Sequence, residues 1–155
     1  MANAESTRLA DFQKSAAKFH SVITVPTFET TTNQVLGTTR KIIATGNAAL
    51  DQIGKLGTNK VNFTNTFVAL DDLNFQINLV ANRLSLIEQT STNAAVRDAA
   101  TDAIKQLSEW SVGMDYREDV YHALKAFAAA KPKLAGEDKK LFDETLRDYR
   151  RAGLE

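Results

Sequence analysis

Few side chains in this sequence are of a type and spacing that could do chemistry. It has no cysteine and two histidines, His20 and His122. Glu118 and His122 lie one helical turn apart, so on a helix they could offer two ligands to one metal ion. A catalytic zinc site of the peptidase type needs more: two histidines one turn apart with a glutamate beside the first, so that both imidazoles face the metal while the carboxylate activates its water. That arrangement is absent, and no third ligand accompanies Glu118 and His122. The acidic pairs Asp71-Asp72 and Glu118-Asp119 suggest acid/base work, but adjacent helical residues diverge by about 100° and do not share a substrate. Serine and threonine hydroxyls are abundant, yet neither histidine has a recognisable triad setting. The glycines match no phosphate-cradling fingerprint. The expectation is no catalytic, cofactor-binding or metal-binding residue, with Glu118, Asp119 and His122 assigned to surface and bundle packing.

Arg117 stands apart because of where it falls. Val96, Ala100, Ala103, Leu107, Trp110, Met114, Tyr121, Leu124 and Ala128 recur in steps of four and three residues, and only Arg117 interrupts this apolar stripe. The spacing predicts one long helix over about 94–130, with Gly113 as a place where it could bend. An arginine in such a stripe is expected to pair with a carboxylate of a neighbouring helix, and Asp71 or Asp72 are the candidates.

The remaining elements follow from the same pattern. Leu9, Phe12, Ala16 and Phe19 mark a short first helix, and His20 to Thr32, with Pro26, reads as an extended connector. Thr31 or Thr32 can cap a second helix whose stripe is Val35, Thr39, Ile42, Gly46, Ala49, Ile53 and Leu56. Gly46 and Ala49 form a notch where a neighbouring helix can come close, and the helix should end between Gly54 and Gly57. Asn62 or Thr64 caps a third helix with the stripe Phe67, Leu70, Leu73, Ile77, Val80, Leu84 and Ile87. A second apolar set, Phe75, Leu79 and Leu86, points the other way, which predicts a central helix sandwiched between neighbours. Thr90 to Asn93 is a capping break. Pro132 follows the long helix, and a last helix over about 137–152 buries Leu141, Phe142, Leu146 and Tyr149 and closes on Gly153. The sum is an all-α antiparallel bundle of four to five helices in one domain, 1–155, with 1–30 partly irregular.

Composition narrows the function classes. At 155 residues and 43% hydrophobic, the chain can bury one substantial core. Its 19 basic and 19 acidic side chains balance, and the best basic cluster, Arg147, Arg150 and Arg151, is interleaved with Asp143, Glu144 and Asp148. Neither nucleic acid nor a membrane surface is an expected partner. No apolar run is long enough to cross a bilayer, and residues 1–20 lack a secretory apolar segment. A cytoplasmic location is expected, with periplasm or secretion open if a signal peptide was removed.

Three phrases resemble the thimet oligopeptidase, neurolysin and oligopeptidase A family of zinc peptidases. Val61 to Leu73 is similar to an early helix phrase of that family, Leu107 to Leu124 to its Leu-Ser-Glu…Met…Arg-Glu-Asp-Val-Tyr helix, and Arg147 to Leu154 to its Arg-x-x-x-Arg-x-Gly-Leu helix end. The resemblance implies the helical N-terminal region of a larger metallopeptidase, one wall of a deep channel that admits short, flexible peptides. The His-Glu-x-x-His zinc site would lie far downstream, so no cofactor is expected here and zinc is expected in the missing catalytic domain. The implied partners are that domain of the same polypeptide and short peptides. Residues 1–155 should be inactive by themselves. The alternative is a free-standing helical-bundle interaction module.

Overall fold

The computed structural model describes residues 2–18 and 27–154, with side chains from Ala10 onward. Six α-helices and one π-helical turn account for the regular structure, and no strand occurs among the described residues. They are α1 (Ala2–Ala17), α2 (Thr32–Gly54), a π turn (Thr64–Val68), α3 (Ala69–Thr90), α4 (Ala94–Met114), α5 (Glu118–Ala129) and α6 (Gly136–Arg151). This is the all-α helical bundle expected from the periodicity. On α1, Ala16 is buried but Phe12 is exposed, contrary to the expected stripe. The side chain of Leu9, and Phe19, His20 and Pro26 altogether, lie outside the described residues.

Thr31 caps α2, because its hydroxyl accepts from the Gln34 amide at 3.3 Å while Gln34 Oε1 accepts from the Thr31 amide at 3.2 Å. Val35, Thr39, Ile42, Gly46, Leu50 and Ile53 form its buried face. Thr39 is tolerated there because its hydroxyl donates to the Val35 carbonyl at 2.9 Å. Trp110 of α4 fills the notch at Gly46: a Cβ on Gly46 would stand 2.6 Å from Trp110 Cζ2, inside contact distance. That close approach is the physical reason for a glycine in mid-helix.

Before α3, Asn62 and Asn65 cap each other's amides at 2.8 and 2.9 Å. The π turn then puts an extra residue into the first coil, with the Val68 amide reaching back to the Phe63 carbonyl at 3.1 Å. This register brings Phe67, fully buried, against Phe63, Phe127 and Phe142, with ring centroids at 5.7, 5.7 and 5.0 Å. The quartet ties the π turn to α5 and α6. The predicted α3 stripe faces the core throughout, with Val80 half-buried. The second set does not meet a neighbour: Phe75, Leu79 and Leu86 are exposed, so α3 is covered on one side only.

The expected long helix over 94–130 is two helices. α4 ends at Met114, and Arg117 is extended at φ −75° and ψ 90° before α5 starts at Glu118. The break falls at the one stripe position that holds no apolar residue. Burial rewards continuing the helix at every neighbouring stripe position, but an arginine gains more by leaving the core for carboxylates. Gly113 lowers the cost of ending there, and Glu118 and Asp119 suit the new helix N-terminus. The stripe then resumes with Val120, Tyr121 and Leu124 buried.

α5 closes on Lys131 at φ +50°, in the left-handed region. Lys131 donates to the Ala128 carbonyl at 3.0 Å, but the following Pro132 has no amide to complete a Schellman pair. α6 closes more fully: Gly153 at φ +97° donates to Arg150 and Leu154 to Tyr149. Tyr149 is its buried anchor, stacked on Tyr121 with centroids 5.7 Å apart.

Candidate functional site

Charged groups that the chain brings together from distant positions meet at the α4–α5 break. Arg117 Nε donates to Asp119 Oδ1 at 2.8 Å and Nη2 to Asp119 Oδ2 at 2.7 Å, a two-point grip across the first turn of α5. Nη2 also reaches Asp51 Oδ1 on α2 at 2.8 Å. The partners are therefore Asp51 and Asp119, not the expected Asp71 or Asp72. The reason is the break: extended backbone at Arg117 turns the side chain along α5 toward the end of α2 instead of toward α3. Gly54 belongs to the same arrangement, since a Cβ there would land on the Asp119 carboxylate.

The electrostatics match the geometry. Hydrogen bonds from Arg117 hold both Asp119 and Asp51 below the ordinary aspartate value, with Lys55 adding to the effect at Asp51. The guanidinium itself is pushed up, first by Asp119. Its bonds to both carboxylates make Arg117 a clamp between α2 and α5.

Glu118 and His122 are exposed on α5. Among the described residues, no group of three or more His, Asp or Glu side chains is placed to hold a metal ion. His20 lies outside the described residues. Asp71 and Asp72 are both exposed in the first turn of α3, and Asp71 lines an open cleft with the likewise exposed Asp115 and Asp148, neither of them a site candidate in the sequence. Asp115 was hidden inside a predicted continuous helix, and Asp148 among the arginines of α6. The signal that could have found Asp115 was the defect in the stripe two residues later.

Further along α3, Glu29 accepts from Arg83 Nε at 2.9 Å and Nη2 at 2.8 Å, and from the Thr38 hydroxyl at 2.6 Å. Burial alone would raise the Glu29 carboxyl, but the bonds from Arg83 and Thr38 outweigh it and hold it below its ordinary value. This pair anchors the segment before α2 to α3 beside a groove of about 350 Å³ lined in part by Lys41, Gln76 and Val80. No helix among the described residues is long and apolar enough to cross a membrane.

No family model matches the chain. Two curated proteins are similar to it. The thimet-like oligopeptidase of Dictyostelium discoideum is 31% identical over 83 residues, which is 54% of this chain and 12% of that protein. Saccharolysin of Saccharomyces cerevisiae is 22% identical over 135 residues, 84% of this chain and 18% of that protein. The chain is thus a distant homologue of oligopeptidases over part of its length, and it spans only a small fraction of these relatives.

Proposed function

We propose that this chain is the non-catalytic N-terminal helical domain of a zinc-dependent oligopeptidase acting on short peptides, and that it helps form the wall of the substrate channel. Residues 1–155 would act as one unit whose partner is the catalytic domain of the same polypeptide, in which the zinc would be bound. The observation that carries this reading is the reach of the saccharolysin similarity: it runs along 84% of this chain and 18% of that protein, so most of such a protein has no counterpart here. The exposed row Phe75, Leu79 and Leu86 supports it, since an apolar helix face left in water is a surface prepared for a neighbour.

Two measurements test this reading. The reading frame is expected to continue past Glu155 into a His-Glu-x-x-His segment, and purified residues 1–155 with added zinc should leave a quenched fluorescent peptide intact. A native stop codon directly after Glu155, or chelator-sensitive cleavage by this chain alone, overturns the proposal.

A further inference from the structure

The cleft between the start of α3, the α4–α5 break and α6 is built from groups that accept hydrogen bonds and repel one another. Asp71 and Asn74 come from α3, Asp115 from the break, and Thr145, Asp148 and Tyr149 from α6. Leu70, Met114 and Leu141 complete the lining with apolar surface. Among the described residues no basic side chain lines it. Arg117, a cation on the same turn, is paired through Nε and Nη2 with Asp119 and Asp51. Asp148 draws some compensation from Arg147 at 3.3 Å and Arg151 at 3.9 Å, whereas no hydrogen bond or ion pair reaches Asp71 or Asp115 from the described residues.

Tyr149 adds an observation independent of the carboxylates. The residue is 6% exposed, yet no hydrogen bond from the described residues satisfies its hydroxyl. That hydroxyl is not sealed away, since among the described residues no buried side-chain polar atom lacks a partner, and Tyr149 is one of the residues that line the cleft. Burial, and then the repulsion of Asp148, push the Asp115 carboxyl up; burial and then Asp115 push the Tyr149 hydroxyl up, against a smaller opposing pull from Arg117. The cleft is an acceptor-rich pocket short of positive charge.

We propose that this cleft receives the guanidinium of an arginine side chain presented by a polypeptide partner. The cavity, about 130 Å³, has room for a few waters at roughly 30 Å³ each or for one planar head group in their place. A metal ion fits less well: hard cations need several oxygen ligands converging at about 2.3–2.6 Å, and these carboxylates do not converge. A guanidinium carries five donors on a rigid fork and spans acceptors that are further apart. Its methylene stem suits the apolar lining. Phe75, one turn along α3 from Asp71, and Tyr116, next to Asp115, are exposed rings on the same elements, available to flank a peptide backbone. This inference is independent of the oligopeptidase reading.

The test is a backbone-amide NMR titration of residues 1–155 with N-acetyl-arginine amide, with the neutral isostere N-acetyl-citrulline amide alongside. Arginine amide should shift the amides of Asn74, Asp115 and Thr145 in a saturable, salt-sensitive way, and citrulline amide should not. Asp115→Asn, and separately Asp71→Asn, should weaken arginine binding by about ten-fold with the rest of the spectrum unchanged. Equal response to citrulline amide, shifts scattered over all acidic surface, or an unchanged affinity in both variants overturns the proposal. So does calcium chloride shifting the same amides at lower concentration than arginine amide, because the pocket would then be a cation site.

Discussion

Trp110 occupies the space that a side chain at position 46 would need, and its indole Nε1 donates to Asn47 Oδ1 on the same stretch of α2 at 2.9 Å. One residue of α4 is thus held by two consecutive residues of α2, through a missing side chain at Gly46 and a present one at Asn47. Trp110 is half-buried, between the core and the surface.

From this contact follow two stability changes of unequal size. Gly46→Ala gains up to about 1 kcal/mol in helix propensity but must displace the ring, with a net loss of roughly 1–3 kcal/mol. Trp110→Ala should cost about 2 kcal/mol, less than the ~3–5 kcal/mol of a fully buried ring. In urea denaturation of the double variant, Gly46→Ala should become neutral or stabilising, because the ring that opposed it is gone.

Arg117→Met should lower stability by about 1 kcal/mol at pH 7, discounted for the partial exposure of the node, and Arg117→Lys should restore less than half, since an ammonium cannot reproduce the two-point grip. The pH dependence has a definite sign. Asp51 and Asp119 fold with carboxyls below their ordinary 3.8, so their contribution is present above that value and lost as pH falls through the folded ones. Asp115 runs the other way, its contribution complete below 3.8 and lost as pH rises through its elevated value. Urea midpoints between pH 2 and 7, roughly the range in which carboxylates titrate, should therefore vary less in Arg117→Met than in the parent. In Asp115→Asn they should be slightly higher at neutral pH and fall more on acidification.

Much of the bundle was legible in the sequence because it rests on local periodicity. The α2 and α3 stripes, the Thr31 and Asn93 caps and the Gly153 terminus are each set by residues within a few positions of one another. The break at Arg117 was visible only as a flaw in a pattern. Its outcome depended on Asp51, far away in the chain, and no periodicity encodes that distance. The acidic cleft was less legible still, since Asp71, Asp115 and Asp148 come from three elements whose docking depends on the π turn and the aromatic quartet. The second apolar face of α3 predicts a sandwiched helix only because a stripe reports that a face is apolar and not what covers it.

Glu29 is a stronger dependence than any surface pair, because its side chain is only 7% exposed. Arg83→Ala leaves that carboxylate buried without its main partner, and a loss of about 3 kcal/mol is expected. Amide exchange would separate its origin: protection should fall first over residues 27–35, while α4 and α5 keep theirs.

Lys131 offers a change in the opposite direction. A lysine at φ +50° carries left-handed strain that glycine does not. Lys131→Gly should raise stability by roughly 0.5–1 kcal/mol, the strain relieved less the extra freedom glycine gives the unfolded chain. A thermal melt that is unchanged or lowered would show that the lysine side chain supplies a compensating contact.

The aromatic quartet also joins segments that lie far apart in the chain, and an order of assembly is expected from it. Phe63 and Phe67 are neighbours in sequence, Phe127 arrives only with α5, and Phe142 only when α6 docks on a surface those three have already made. α6 is therefore expected to dock last. The chain should nucleate among α2, α3 and α4, and its refolding trajectory should end with a late C-terminal closure, because the longest loops are closed after the shorter ones have been stabilised.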